Sequence, residues 1–425
     1  MAVEFGEALR VWFKIGCLGF GGPAGQIALM HRILVDEKRW VEESRYLHAL
    51  NFCMLLPGPE AQKLATYVGW LLHGTRGGLV AGILFVLPGA LVMLGVSLLY
   101  ALGQGIPAVD GALFGIKAAV LVIVVEALLR IGRRGLKTRL MLGVAAAAFV
   151  GIFFFALPFP LIVAAAGAIG FFATRRTSGI AKRSENQSAW LQATRATLVG
   201  LALWLAPIAL VVFALGTHHV LFDIAAFFSK LAVVSFGGAY ALLAYMAQQA
   251  VETYGWMSAP EMVDGLGLAE TLPGPLIKVT QFVGFLAAYR DPAPFSPVAA
   301  AVIGSALTTW VTFVPPMMLI FAGAPFIEQL RSNARLSGAL AAITAAVVGV
   351  ILNLTIWFAL HVLFARVEEA RAGPLRWYAF DPASLDWKAG ALALVAALLM
   401  LRLHRGMVET VAVMALAGIL LRFLL

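Results

Sequence analysis

Five lysines lie inside apolar stretches of this 425-residue chain: Lys14, Lys63, Lys117, Lys230 and Lys278. A lysine at a bilayer centre costs at least ~2.5 kcal/mol, so each needs a physical reason to be there. Lys14 stands six residues before Phe20-Gly21-Gly22, and Lys230 stands six before Phe236-Gly237-Gly238. Lys63 follows Pro57-Gly58-Pro59, and Lys278 follows Pro273-Gly274-Pro275. Paired cations facing a central cavity suit a small oxyanion. Near a helix end, the same side chains can instead snorkel to the headgroups. Proline removes a backbone donor and clashes with the preceding turn, while glycine tolerates unusual φ and ψ. The prolines Pro23, Pro57, Pro59, Pro273 and Pro275 therefore mark discontinuous helices. A helix restarting after such a break presents free N–H groups and a positive dipole end, which favour an anion.

The candidate substrate-binding set is thus Lys14, Lys230, Lys63 and Lys278, with the glycines Gly21, Gly22, Gly237, Gly238, Gly58 and Gly274. Gln62 and Gln281 add neutral donors, with Thr66 and Thr280 beside them. Lys14 and Lys230 carry the strongest expectation, because residue type and spacing to the glycine pair are both preserved. Glu60, Glu126 and Glu270 are candidates for pairing with a lysine or for carrying a coupled proton. Glu60 is also placed to cap the restarted helix, and Glu126 to pair with nearby arginines or Lys117.

These residues must be positioned by apolar segments at about 8–30, 47–73, 77–103, 110–131, 139–156, 158–173, 195–216, 220–250, 262–289, 297–324, 336–364, 388–402 and 407–424. A polar linker at 174–190 separates the first six from the rest, and the aromatic and basic stretch 366–388 suits a membrane interface. The motifs recur. At an offset of 216, Lys14 meets Lys230, Trp40 meets Trp256 and the first PGP triplet meets the second. At 215, Lys63 meets Lys278; at 227, Pro88 meets Pro315 and Glu126 meets Asn353. The reading is an all-α polytopic membrane protein of about thirteen segments. Two inverted six-segment repeats flank one linking helix. The divisions are 1–190, the connecting helix 191–218, and 219–425.

If every segment crosses, the N-terminal side holds 16 of the 31 Lys and Arg residues and the other side 10, with five inside segments. The positive-inside rule then puts the N-terminus in the cytoplasm and the C-terminus outside. The N-terminus has no basic n-region or cleavage site of a signal peptide.

Composition agrees. Only 12% of residues are charged, against about 25% in soluble domains, and mean hydropathy is +0.91. This excludes a soluble enzyme, a disordered tail and a nucleic-acid module, and the +9 formal charge is read as loop charge. The cysteines Cys17 and Cys53 and the scattered histidines make no metal spacing. No cofactor and no catalytic residue is expected, and the lipid bilayer and a small anion are the expected partners, with a homodimer possible.

The motifs resemble the chromate ion transporter superfamily in its long two-domain form. The resemblance rests on FKIGCLGFGGP at 13–23, Lys38-Arg39-Trp40 and LPGPEAQ at 56–62. In the second half it rests on SFGGAY at 235–240, AETLPGPLI at 269–277 and QFVGF at 281–285. It covers about 8–425. It implies an inner-membrane protein that exports chromate and confers resistance, with sulfate competing or coupled, in a 6+1+6 antiparallel topology. Chromate and sulfate are both tetrahedral dianions, so a transporter of sulfate or another inorganic oxyanion stands as the alternative. A channel and a membrane-embedded enzyme are the remaining classes.

Overall fold

A computed structural model describes residues 3–20, 22–103, 105–174, 187–236, 239–326 and 334–424. Gly21, Gly237, Gly238 and most of the polar linker lie outside them. The helices are α1 (Phe5–Leu18), α2 (Gly22–His31), α3 (Glu43–Leu55), α4 (Glu60–Leu102), α5 (Pro107–Gly135), α6 (Arg139–Phe155), α7 (Phe159–Ala173) and α8 (Gln187–Leu215). After these come α9 (Val220–Val234), α10 (Ala239–Gln248), α11 (Ala259–Thr271), α12 (Val279–Arg290), α13 (Pro297–Gly323), α14 (Ala334–Leu363), α15 (Trp387–Ala397) and α16 (Met407–Leu424). An antiparallel hairpin, β1 (Val367–Ala372) and β2 (Leu375–Phe380), occupies the stretch read from sequence only as interfacial. Its turn contains Gly373 at φ +60°.

Among the described residues, five helices are long and apolar enough to cross a bilayer: α4, α5, Trp190–Leu215 within α8, α13 and α14. This makes the chain a multi-pass membrane protein. α4 is folded on itself at His73 and Gly74, where φ is −138° and +59°, matching the expected division between 73 and 77. The two limbs lie close: a Cβ on Gly77 would stand 2.3 Å from the Gly69 carbonyl oxygen. The hairpin of α12 and α13 repeats this contact, with a Cβ on Gly304 falling 2.6 Å from the Gly284 carbonyl oxygen.

One pair of helices follows the sequence offset closely. α3 and α11 start and end 216 residues apart. The breaks fall at the expected motifs: α3 stops before Pro57, and Leu56 takes the extended conformation, φ −100° and ψ 148°, that a following proline imposes. Elsewhere caps define the ends. Thr138 accepts from the Met141 N–H at the start of α6, and Asp386 accepts from the N–H groups of Lys388 and Ala389 at the start of α15.

Two compact units result. The first comprises Met1–Gly95, Phe171–Ala239 and Leu272–Leu340. Within it, α1 and α2 turn back on themselves, because Lys38 beyond α2 donates to Glu7 in the first turn of α1 at 2.6 Å. α3 and the first limb of α4 return likewise, since His73 Nε2 lies 2.7 Å from the Val3 carbonyl oxygen. Helices of 10 to 14 residues span only ~15–21 Å, against a hydrocarbon core of ~30 Å. The 16-to-10 charge count took segments 8–30 and 47–73 as full crossings, and this returning geometry does not fit it. In the later part of the unit, His219 Nε2 lies 2.7 Å from the Ala293 carbonyl oxygen, so the start of α9 meets the loop after α12. Trp310 of α13 donates to the Leu203 carbonyl of α8.

The second unit comprises Val96–Gly170, Tyr240–Thr271 and Ala341–Leu425. α5 and α16 touch backbone to backbone: a Cβ on Gly115 would come within 1.8 Å of the Met414 carbonyl oxygen. Small residues permit such close approach between membrane helices. The β-hairpin is pinned by Arg376, whose side chain donates to the carbonyls of Ile152 and Phe153 at the end of α6 and to Glu252 at 3.0 Å. A cation there meets the negative end of the α6 dipole. Tyr378 donates to the other oxygen of Glu252 at 3.0 Å. Burial pushes the Tyr378 phenol well above its ordinary range, which keeps that donor protonated.

Candidate anion site at the helix breaks

The first compact unit brings both helix-break motif pairs together. Gly58, at φ +105°, donates its N–H to the Ser235 carbonyl at 3.1 Å. Gly274, at φ +92°, donates to the Gly19 carbonyl at 2.9 Å. Ser235 and Gly19 each directly precede a Phe-Gly-Gly motif. Each triplet is therefore bonded to the glycine motif of the opposite half, and the two bonds are related by the 216-residue offset at both ends.

No side chain fits at either triplet glycine. A Cβ on Gly58 would stand 2.4 Å from the Pro316 ring, and one on Gly274 would stand 3.2 Å from the Gly89 Cα. Pro57, Pro59, Pro273 and Pro275 frame these turns. Pro275 is extended, at φ −57° and ψ 136°, before a short 3-10 turn, Leu276–Lys278, that leads into α12. Pro23 lies in the first turn of α2, after Gly22 at φ +65°.

Lys63 and Lys278 sit at the breaks themselves. Both are only 1% exposed, so neither reaches headgroups. Lys63 donates to the Leu56 carbonyl, and Lys278 donates to the Leu272 carbonyl at 2.8 Å and the Gly274 carbonyl at 3.2 Å. Each ammonium thus closes the carbonyl end of the helix that stops at its triplet, at equivalent places in the two halves. Helix C-termini leave such carbonyls without intrahelical partners.

Three buried amides complete the surroundings. Gln62 donates to the Phe313 carbonyl at 3.2 Å, and Gln281 donates to the Ala90 carbonyl at 2.9 Å and to Ser305 Oγ at 2.8 Å. Gln26 donates to both Gly19 and Gly274, at 3.1 and 2.6 Å, and so reinforces one of the reciprocal bonds. The amide oxygens of Gln26, Gln62 and Gln281 are buried without a hydrogen-bond partner. Gln26 was missed from sequence; its signal is an amide four residues beyond Gly22 in an otherwise apolar stretch. Thr66 and Thr280 spend their hydroxyls on the carbonyls of Gln62 and Ile277.

Lys14 and Lys230 occupy exposed positions on α1 and α9. Glu60 is the first residue of α4 and is partly exposed. Glu126 lies 3.7 Å from Arg130, one turn on. Glu270 is buried near the end of α11, in the second unit. Among the described residues, no group of three or more His, Cys, Asp or Glu is placed to hold a metal ion.

Two buried ammonium groups and two restarting helices concentrate positive potential in apolar surroundings, where charges interact more strongly than in water. The Chromate transporter family profile matches residues 6–171 and 222–421. The chromate transport protein of Pseudomonas aeruginosa is 33% identical over 380 residues, covering 87% of this chain and 85% of that protein. The probable chromate transport protein of Synechococcus elongatus is 26% identical over 82% of this chain and 83% of its own length. The chromate transport protein of Cupriavidus metallidurans is 26% identical over 81% and 80%. No solved structure matches the chain.

Proposed function

The chain belongs to the chromate transporter family, and on that premise we propose that it is a secondary transporter exporting chromate across the cytoplasmic membrane, with sulfate as a competing or coupled anion. The observation that carries this reading is the reciprocal pairing of the triplets, Gly58 with Ser235 and Gly274 with Gly19. It joins the two halves at the one place where broken helices, buried lysines and buried amides coincide. Broken helices within the membrane serve ion and substrate sites in many inverted-repeat carriers. The substrate site is accordingly the region of Lys63, Lys278, Gln26, Gln62 and Gln281 around the two breaks. Lys14 and Lys230 flank the same motifs in sequence and belong to the approach to that site.

The two halves run inverted. In this reading α1–α2 and α3 with the first limb of α4 form returning pairs on the N-terminal side, and their repeat-related counterparts form them on the opposite side. Arg32, Lys38, Arg39 and Arg45 then join the N-terminal side, and the basic count becomes 20 against 6. That asymmetry favours a cytoplasmic N-terminus and an external C-terminus.

Uptake of labelled chromate into everted vesicles tests the function. Saturable uptake that excess sulfate reduces is the expected result. Flux without saturation marks a channel, and uptake of sulfate with none of chromate replaces the substrate.

A further inference from the structure

The second compact unit holds an ion pair that the anion site does not use. Asp264 of α11 is 4% exposed. Lys117 of α5 approaches its Oδ1 at 3.1 Å, and the Tyr100 hydroxyl at the end of α4 donates to its Oδ2 at 2.9 Å. Each carboxylate oxygen thus meets one donor, and the two donors come from two other helices. Other charges on the neighbouring helices have partners of their own. Glu261, one turn earlier on α11, accepts from Ser258, and Glu126 of α5 is paired with Arg130. The charged residues of α16, Glu409 and Arg422, stand near its two ends, with Glu409 paired to Arg405.

From this geometry we infer that Asp264 is the group that carries a proton through the transport cycle, ionised while Lys117 and Tyr100 hold it and neutral when they release it. The inference rests on the transport reading above. An ionisable group inside a membrane protein is expensive and marks ion pathways more often than scaffolding.

The pair also breaks the internal repeat. At the repeat offsets Asp264 faces His48 and Lys117 faces Thr344, whereas the lysines and triplets of the breaks occur twice. A duplicated feature serves both halves alike, but a single carboxylate gives the cycle a direction. α11 ends at Thr271, two residues before Pro273, so Asp264 stands on the helix that leads into a break. The step balances simply. A proton from the external water adds to the carboxylate, Lys117 stays protonated, and the same proton leaves to the cytoplasm as chromate is carried outward.

The test uses purified full-length protein in liposomes. Asp264→Asn should lose chromate accumulation driven by an imposed pH gradient while keeping chromate–chromate exchange at equal pH. Asp264→Glu should keep part of the gradient-driven accumulation. Gradient-driven accumulation that survives in Asp264→Asn overturns the proposal. So does loss of exchange along with accumulation in a variant that stays folded, because that marks a structural pair. Wild type that exchanges no chromate defeats the functional reading instead. In that case infrared spectroscopy of the protein alone decides. A protonated-carboxyl band that titrates with pH in wild type and vanishes in Asp264→Asn supports the proposal, and its absence ends it.

Discussion

At the scale of single residues, the two repeat-related lysine pairs have different surroundings. Lys63 and Lys278 are enclosed and spend their protons on backbone carbonyls, whereas Lys14 and Lys230 occupy exposed helical positions. Replacing Lys63 or Lys278 by Met removes a charged hydrogen bond worth ~1.5–3 kcal/mol and leaves a carbonyl end open. Each should lower chromate affinity about tenfold or more. Lys14→Met and Lys230→Met should cost less, as read by uptake against concentration, normalised to protein in the membrane. Equal losses in all four variants would return the outer pair to the site. The repeat made all four legible in the sequence, whereas their exposure was not, because it depends on how a helix is rotated in its packing. Gln26 was hidden for a related reason. The carbonyl of Gly274 lies 248 residues away, and no local pattern announces it.

At the scale of elements, the breaks were legible because proline and glycine act on the backbone directly. Gly58→Val and Gly274→Val should abolish transport while leaving protein in the membrane. Both combine a positive φ with a neighbour at 2.4 or 3.2 Å, and β-branched residues at positive φ are genuine outliers. Near-normal uptake by either variant would remove the close approach from the mechanism. The path of the segments was less legible. The run 8–30 has enough apolar residues to span a bilayer, and the contact of Lys38 with Glu7 that brings its two ends together is not a local feature. A cysteine placed at Lys38 should therefore react with an impermeant thiol reagent only from the cytoplasmic face. Labelling from outside would restore a full crossing. The β-hairpin left no signal beyond aromatic and basic composition, since its hold depends on the distant carbonyls of Ile152 and Phe153.

At the scale of the whole molecule, duplication was readable in the sequence because identical rare residues returned at fixed offsets. The proposed inversion of the two halves makes a prediction at this scale. Reporter fusions in the linker near Arg183 should read cytoplasmic and fusions after Leu425 external. Both reporters on one side would defeat the inverted arrangement.

The crossed bonds between the triplets carry one more consequence. Neither half closes its own break, since Gly58 needs Ser235 and Gly274 needs Gly19. A gene cut within the polar linker should yield two polypeptides that are each inert alone and that recover transport when synthesised together. The fused chain would then be a pair of mutually dependent subunits tethered end to end, and a lesion in one break could not be rescued by the intact copy in the other.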